Sequence, residues 1–310
     1  MAPLALTVTR ALFGLAERVA PSHGGNAAFR LFSRTPASRN PSPREREAIE
    51  RYGRFMDDAR HHRLRTAGGW ISAHLFKPLV GAGTERTALV VHGWRSRAEH
   101  MVPIVMQLRA GGYRVVALDL PGHGRSAGRH LNMASAVEAC AEAELWFGPF
   151  DVVVGHSFGG AVVLNAAAGS VRTFRPLTPA RLVLISAPNM IPAIFDQFAD
   201  ALRLGPGIRA AMSQRVERLT GTPLAEFVGA RQLARLTIPT LIVHAPDDRE
   251  VAADDAAALA GAGPHVDVRW VPGAGHRRIL ADARLLEALA DFTGGNVAEA
   301  ARRMARRVSA

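Results

Sequence analysis

The stretch from Phe150 to Gly169, FDVVVGHSFGGAVVLNAAAG, constrains this chain more than any other. A short β-branched run ending at Val154 meets Gly155-His156-Ser157-Phe158-Gly159, and an Ala- and Val-rich segment of helical character follows. A strand that turns sharply into a helix holds the central Ser in a strained backbone conformation. Bulk two positions to either side would then strike the neighbouring strand and helix, which explains the glycines. The helix that starts after Ser157 aims its free N–H groups and positive end at the same spot. A Gly-rich turn with an incidental Ser satisfies the same five-residue pattern, so the rest of the chain must decide.

The rest of the chain alternates. Strand-like runs occur at 70–76, 87–91, 113–120, 151–154, 181–186, 238–244 and 266–271, with helical segments at 101–108, 133–146, 252–260 and 280–292 between or after them. Strands alternating with helices predict an α/β fold: a mostly parallel central sheet with helices on both faces. Residues 191–236 hold no convincing strand, only amphipathic pieces at 195–204 and 212–219 set apart by Gly/Pro breaks. They are expected to form a small helical lid inserted after the sixth strand. No repeat of fixed period is visible. The expected organisation is an N-terminal helical and irregular extension (1–60), a core (61–188 and 237–295), the lid (189–236) and a basic C-terminal tail (296–310).

Within the extension, Leu4, Val8, Leu12, Leu15 and Val19 share one helical face. Charges interrupt this run too early for a membrane span, and no small-residue cleavage site follows it. The leading reading is a docking helix, and the alternative is peripheral membrane contact through residues 1–20. Residues 21–47 carry four prolines with Gly, Ser and Asn between them, which reads as irregular chain anchored by Phe29, Leu31 and Phe32. A helix is then expected from Ser42-Pro43 to about Arg60.

With 310 residues, 48% of them hydrophobic, and a formal net charge of +11, the chain is a globular protein with a sizeable core and an excess of Arg. The composition is Arg- and Ala-rich in a bacterial manner. Part of the basic charge lies at the end, in Arg302, Arg303, Arg306 and Arg307, and no aromatic-studded patch accompanies it, so no nucleic-acid partner is expected. The single Cys, Cys140, falls in a helical stretch where a buried, inert thiol is the default. No His/Cys/Asp spacing resembles a metal site, so neither metal nor cofactor is expected. The expected location is cytoplasmic, or peripheral to the membrane if the first helix meets lipid.

A Ser hydroxyl becomes a nucleophile when a His takes its proton and an acid orients that His. Downstream of Ser157, one expected strand runs into Ala245-Pro246-Asp247-Asp248-Arg249-Glu250-Val251, and the next runs into Gly273-Ala274-Gly275-His276. Both stretches sit at carboxyl ends of strands, where open α/β sheets build sites. The acid is Asp247 or Asp248; adjacent side chains diverge, so one of them faces His276.

Together, His92-Gly93-Trp94, Asp119-Leu120-Pro121-Gly122-His123-Gly124-Arg125-Ser126, Gly155 to Gly159, Asp248 with Val251, and Gly275-His276 make the chain resemble the α/β-hydrolase-fold serine hydrolases from about Trp70 to Phe292. The branch it resembles holds esterases, lysophospholipases and monoacylglycerol lipases. The resemblance implies a Ser157–His276–Asp248 triad, with Asp248 chosen because Val follows it by three, and an oxyanion hole made by the Trp94 and Phe158 N–H groups. Ala245 stands where the family usually has Gly.

Ser rather than Asp at the elbow sets the chain apart from the epoxide hydrolase and haloalkane dehalogenase branches. The implied reaction is hydrolysis of a carboxylic ester through an acyl-enzyme, on a small-molecule substrate with an apolar acyl group. Candidate pocket residues are His92, Gly93, Ile191, Phe195 and Phe198, although helix packing explains the lid residues equally well. Thioester, amide, lactone or C–C cleavage and acyl transfer are alternatives on the same triad, and a ligand receptor is the alternative outside catalysis. His92, His123 and His156 read as structural hydrogen-bonders, Asp119 as a structural residue at a strand end, and His23, His61, His62 and His265 as solvated. Oligomeric state is left open.

Overall fold

The computed structural model describes residues 3–36, 41–79 and 86–294, so the basic tail lies outside the described residues. Three helices come first: α1 (Pro3–Val19), α2 (Pro21–Phe32) and α3 (Pro43–Asp57). The hairpin β1 (Arg60–Thr66) and β2 (Gly69–Phe76) leads into β3 (Thr87–Val91), α4 (Val102–Ala110), β4 (Arg114–Asp119), α5 (Met133–Phe147), β5 (Val152–His156), α6 (Phe158–Ala167) and β6 (Arg181–Ile185). Three helices follow β6: α7 (Ile191–Leu202), α8 (Pro206–Thr220) and α9 (Gly229–Leu233). The chain closes with β7 (Thr240–His244), α10 (Ala253–Ala260), β8 (Val266–Trp270), α11 (Gly275–Arg278) and α12 (Ala283–Thr293).

The eight strands form one sheet in the order β1-β2-β4-β3-β5-β6-β7-β8. β1 with β2 and β2 with β4 pair antiparallel, and the other pairs are parallel. Alternate strand residues feed two apolar layers. Leu89 and Val91 of β3 and Val153 of β5 enter one, while Ala88, Val90, Val152 and Val154 enter the other. A sheet covered on both faces explains why the central strands read as unbroken apolar runs.

Two expectations about local structure are corrected. The helix in the forties ends at Asp57, and residues 60–66 form β1, an edge strand in which Leu64 alone is buried. Residues 21–32, expected to be irregular, form α2. A Cβ on Gly24 would lie 2.8 Å from Ile208 Cδ1, and one on Gly25 would lie 2.4 Å from Ala211 Cβ. These glycines let α2 press directly against α8, and that packing outweighs their poor helix propensity.

The docking of α1 is also the reverse of its pattern. Leu4, Val8, Leu12, Leu15 and Val19 are 50–76% exposed. The helix docks through its other side, where Phe13 is buried, Leu6 and Ala16 pack against the core, and two polar anchors take hold. Arg10 donates to the carbonyl of Ala201 at 2.8 and 3.1 Å. Glu17 accepts from the Gly207 and Ile208 N–H groups at 2.7 and 2.9 Å, placing a carboxylate on the positive end of α8. Among the described residues no helix is long and apolar enough to cross a membrane.

Candidate active site

β5 delivers Ser157 at its carboxyl end, and α6 starts on the next residue. Ser157 has φ 55° and ψ −127°, a conformation that L residues rarely adopt. The surrounding glycines permit it: a Cβ on Gly155 would sit 2.3 Å from the Gly159 carbonyl oxygen, and one on Gly159 would sit 2.4 Å from two further carbonyls. The strain is held by the Ser157 N–H, which donates to the Ile185 carbonyl at 2.8 Å.

His276 arrives in the short α11, shortly after β8, and Asp248 on the loop after β7. Ser157 Oγ lies 2.9 Å from His276 Nε2, and His276 Nδ1 lies 2.7 Å from Asp248 Oδ2. Because a carboxylate only accepts, Nδ1 carries the proton and Nε2 is free to accept from the hydroxyl. The other oxygen of Asp248 accepts from the N–H groups of Glu250 and Val251 at 2.8 and 3.0 Å. Burial alone would raise this carboxyl, but the bonds from His276 and the two amides bring it down to about 2. Asp247 turns away and accepts from the Gly273 N–H at 2.8 Å, so the two adjacent carboxylates have separate tasks.

Gly93 packs on the hydroxyl-bearing residue so closely that a Cβ there would lie 2.8 Å from Ser157 Cβ. Trp94 follows, its ring 5.9 Å from that of Phe158. Among the described residues the Trp94 and Phe158 N–H groups make no bond to a backbone carbonyl outside regular helices and strands, so both are available as donors beside Ser157.

His92 does not line the site. It is fully buried, donates to the Gly93 carbonyl at 2.7 Å and accepts from the Leu120 N–H at 3.0 Å, so it ties the Gly93 turn to the end of β4. Asp119 is likewise fully buried and accepts from the Ala98 and Arg125 N–H groups and from His74. His61 and His265, expected to be solvated, have partners: His74 Nδ1 at 2.8 Å and the Leu233 carbonyl at 3.2 Å.

Ile191, Phe195 and Phe198 of α7 line a cavity of about 840 Å³ that reaches Ser157. Sequence reasoning missed its other wall. Phe29 and Phe32 come from α2, with the Phe32 ring tilted against that of Phe195 at 4.3 Å and edge-on to that of Phe198 at 5.1 Å. Nothing local marks those two residues as pocket residues; the signal is the apolar pair on a helix glycine-packed against α8. Sequence reasoning also missed Glu250, whose carboxylate lies 3.8 Å from His276 Nε2 and is held by Arg277. Among the described residues no cluster of His, Cys, Asp and Glu is arranged to hold a metal ion.

Comparison with known proteins gives the family. The chain is 30% identical over 213 residues to a non-heme haloperoxidase of Rhodococcus erythropolis, a match covering 54% of this chain and 77% of that protein. It is 29% identical over 181 residues to a pimeloyl-(acyl-carrier protein) methyl ester esterase of Sodalis glossinidius, covering 55% of this chain and 64% of that protein. The crystal structure of the esterase domain of a Rhodothermus marinus protein superposes with a TM-score of 0.53 at 25% identity, covering 78% of this chain and 98% of the domain. The sequence signature of one family spans residues 88–289, from the second residue of β3 into α12, and so contains Trp94, Ser157, Asp248 and His276. On that match the chain belongs to the alpha/beta hydrolase family.

Proposed function

We propose that the protein is a serine hydrolase that cleaves carboxylic esters with an apolar acyl chain through an acyl-enzyme. The observation that carries this reading is the unbroken line from Ser157 Oγ through His276 to Asp248, at 2.9 and 2.7 Å. Ser157 Oγ attacks the acyl carbon while His276 Nε2 takes its proton, and Asp248 holds the ring and offsets the positive charge that forms on it. The tetrahedral oxyanion sits between the Trp94 and Phe158 N–H groups, each worth about 3 kcal/mol of barrier. His276 then gives its proton to the leaving oxygen as the C–O bond breaks. Water, deprotonated by the same nitrogen, attacks the acyl-enzyme and returns Ser157 to its starting form. The cavity walled by α2 and α7 supports the choice of an apolar acyl group.

The test is Ser157→Ala assayed on short p-nitrophenyl esters, with circular dichroism as the check on folding. Loss of turnover with the fold retained is expected; retained turnover overturns the reading. A panel of thioester, amide and lactone substrates then measures whether esters are the preferred class.

A further inference from the structure

Two cavities of opposite chemistry meet at Ser157. One is the apolar cavity walled by Phe29, Phe32, Phe195 and Phe198. The other, about 920 Å³, opens over the far side of the hydroxyl, and Arg44, Arg51, Arg95, Arg249, Arg277 and Arg278 line it. Its acidic groups are already engaged. Glu47 pairs with Arg51 at 3.0 Å, Glu250 is held by Arg277 at 3.0 and 3.1 Å, and Asp247 accepts from a backbone N–H. Arg44, Arg95 and Arg249 make no ion pair among the described residues, and Arg278 reaches only the Gly273 carbonyl. Six arginines thus face three carboxylates (Glu47, Asp247 and Glu250), an excess of three positive charges, and four of the guanidiniums, including Arg249 at the border with the apolar cavity, have no ion-pair partner among the described residues.

The triad decides which end of a substrate enters which cavity. His276 lines the arginine cleft and not the apolar cavity. The leaving group receives its proton from His276 and so departs on that side, while the acyl chain lies on the other. We infer that the arginine cleft binds an anionic, phosphate-type group on the leaving moiety, so that the substrate is an apolar acyl ester or thioester of a phosphate-bearing alcohol or thiol. The inference rests on the ester-hydrolase reading above. The guanidinium fork matches phosphate oxygens in pairs, which suits Arg better than Lys for this task. The phosphate is a handle: the acyl C–O or C–S bond breaks, His276 protonates the departing atom, and no phosphorus bond changes.

Two sources offer this chemistry, a glycerophosphate headgroup and a coenzyme-A-type thiol. The test compares matched pairs below micelle formation: decanoyl glycerophosphate against decanoylglycerol, and decanoyl-coenzyme A against S-decanoyl-N-acetylcysteamine. In one pair the phosphate-bearing member is expected to show kcat/KM about tenfold higher, because solvated charge pairs contribute only a few-fold each. That advantage should shrink as salt is added, and the pair that shows it names the source. The double variant R44Q/R278Q should bring the ratio close to one, while R44K/R278K should keep most of it, which a merely structural role would not produce. Equal rates within both pairs, or a ratio that R44Q/R278Q leaves unmoved, overturns the inference. Fluorophosphonate labelling separates the two levels. Labelled, esterase-active protein without the ratio sinks this inference alone, whereas protein that neither labels nor hydrolyses simple esters sinks the ester-hydrolase reading beneath it.

Discussion

His156 Nε2 donates to the backbone carbonyl of His276 at 2.8 Å, so the residue immediately before Ser157 holds the loop that carries the imidazole facing it. The bond joins the elbow to a segment 120 positions later in the chain. Burial, with the neighbouring His276 ring adding to it, depresses His156 to about 3, so the ring is neutral near pH 7 and this bond keeps its single proton on Nε2. His156→Ala is expected to free the His276 loop and lower kcat about tenfold, as expected when a positioning hydrogen bond is lost. KM should change little, and His156→Gln should restore part of the rate. A variant with unaltered kcat would show that the loop is held by other contacts.

The adjacent carboxylates Asp247 and Asp248 give a clean internal comparison. Asp248→Asn keeps the size of the side chain but removes the acceptor that fixes the His276 tautomer, so kcat should fall by about 10³ to 10⁴. Among the described residues Asp247 accepts from the Gly273 N–H alone, and it is exposed, so Asp247→Asn should stay within a few-fold of the parent. Equal losses in the two variants would refute this division of labour.

Stability should fall on the acid side in a way that two buried imidazoles set. His92 and His156 are fully enclosed; burial first, then the His123 and His276 rings beside them, push both to about 3 from 6.5. The unfolded chain therefore binds two more protons than the folded one between these values. Stability from this source is whole above pH 6.5 and drains as pH falls, by about 1.4 kcal/mol per pH unit for each proton and about 2.7 for both. Asp248, depressed to about 2, adds to the loss below pH 4. Denaturant unfolding from pH 7 to pH 5 measures the slope, and a flat profile over that span would contradict it.

The residues that sequence reading located best are those whose surroundings are uniform. Thr87–Val91 is buried on both faces and reads as an apolar run of the right length. Ser157, His276 and Asp248 sit in motifs whose spacing reflects strand ends, and the structure brings them within hydrogen-bonding distance. What was illegible depends on distant partners. Arg60-His61-His62-Arg63 does not look like a strand because an edge hairpin needs only Leu64 to be buried. Gly24 and Gly25 look like helix breakers until Ile208 and Ala211 are laid against them. The apolar stripe of α1 does not mark its docked face, because two polar groups, Arg10 and Glu17, anchor the helix to Ala201 and the start of α8. An apolar stripe tells which residues share a face and leaves open what that face meets.

Aromatic rings line the apolar cavity beside Ser157, and on the ester-hydrolase reading they set an acyl length limit that can be moved. Each methylene buried along Phe29, Phe32, Phe195 and Phe198 should contribute about 0.8 kcal/mol, roughly fourfold in kcat/KM, until the chain meets the wall. A series of p-nitrophenyl esters of rising acyl length should therefore climb steadily and then break. Phe32 touches Phe195 and Phe198 and is itself half-buried, so Phe32→Ala opens the α2 side of the cavity without emptying the core. The break should shift to longer chains by about two to four carbons, with a stability cost of about 1 to 3 kcal/mol, below the range for a fully buried Phe. Short esters should react in the variant at close to the parental rate, because they never reach the removed ring. If the break stays in place while every chain length slows equally, Phe32 supports the α2–α7 packing and the acyl group runs elsewhere.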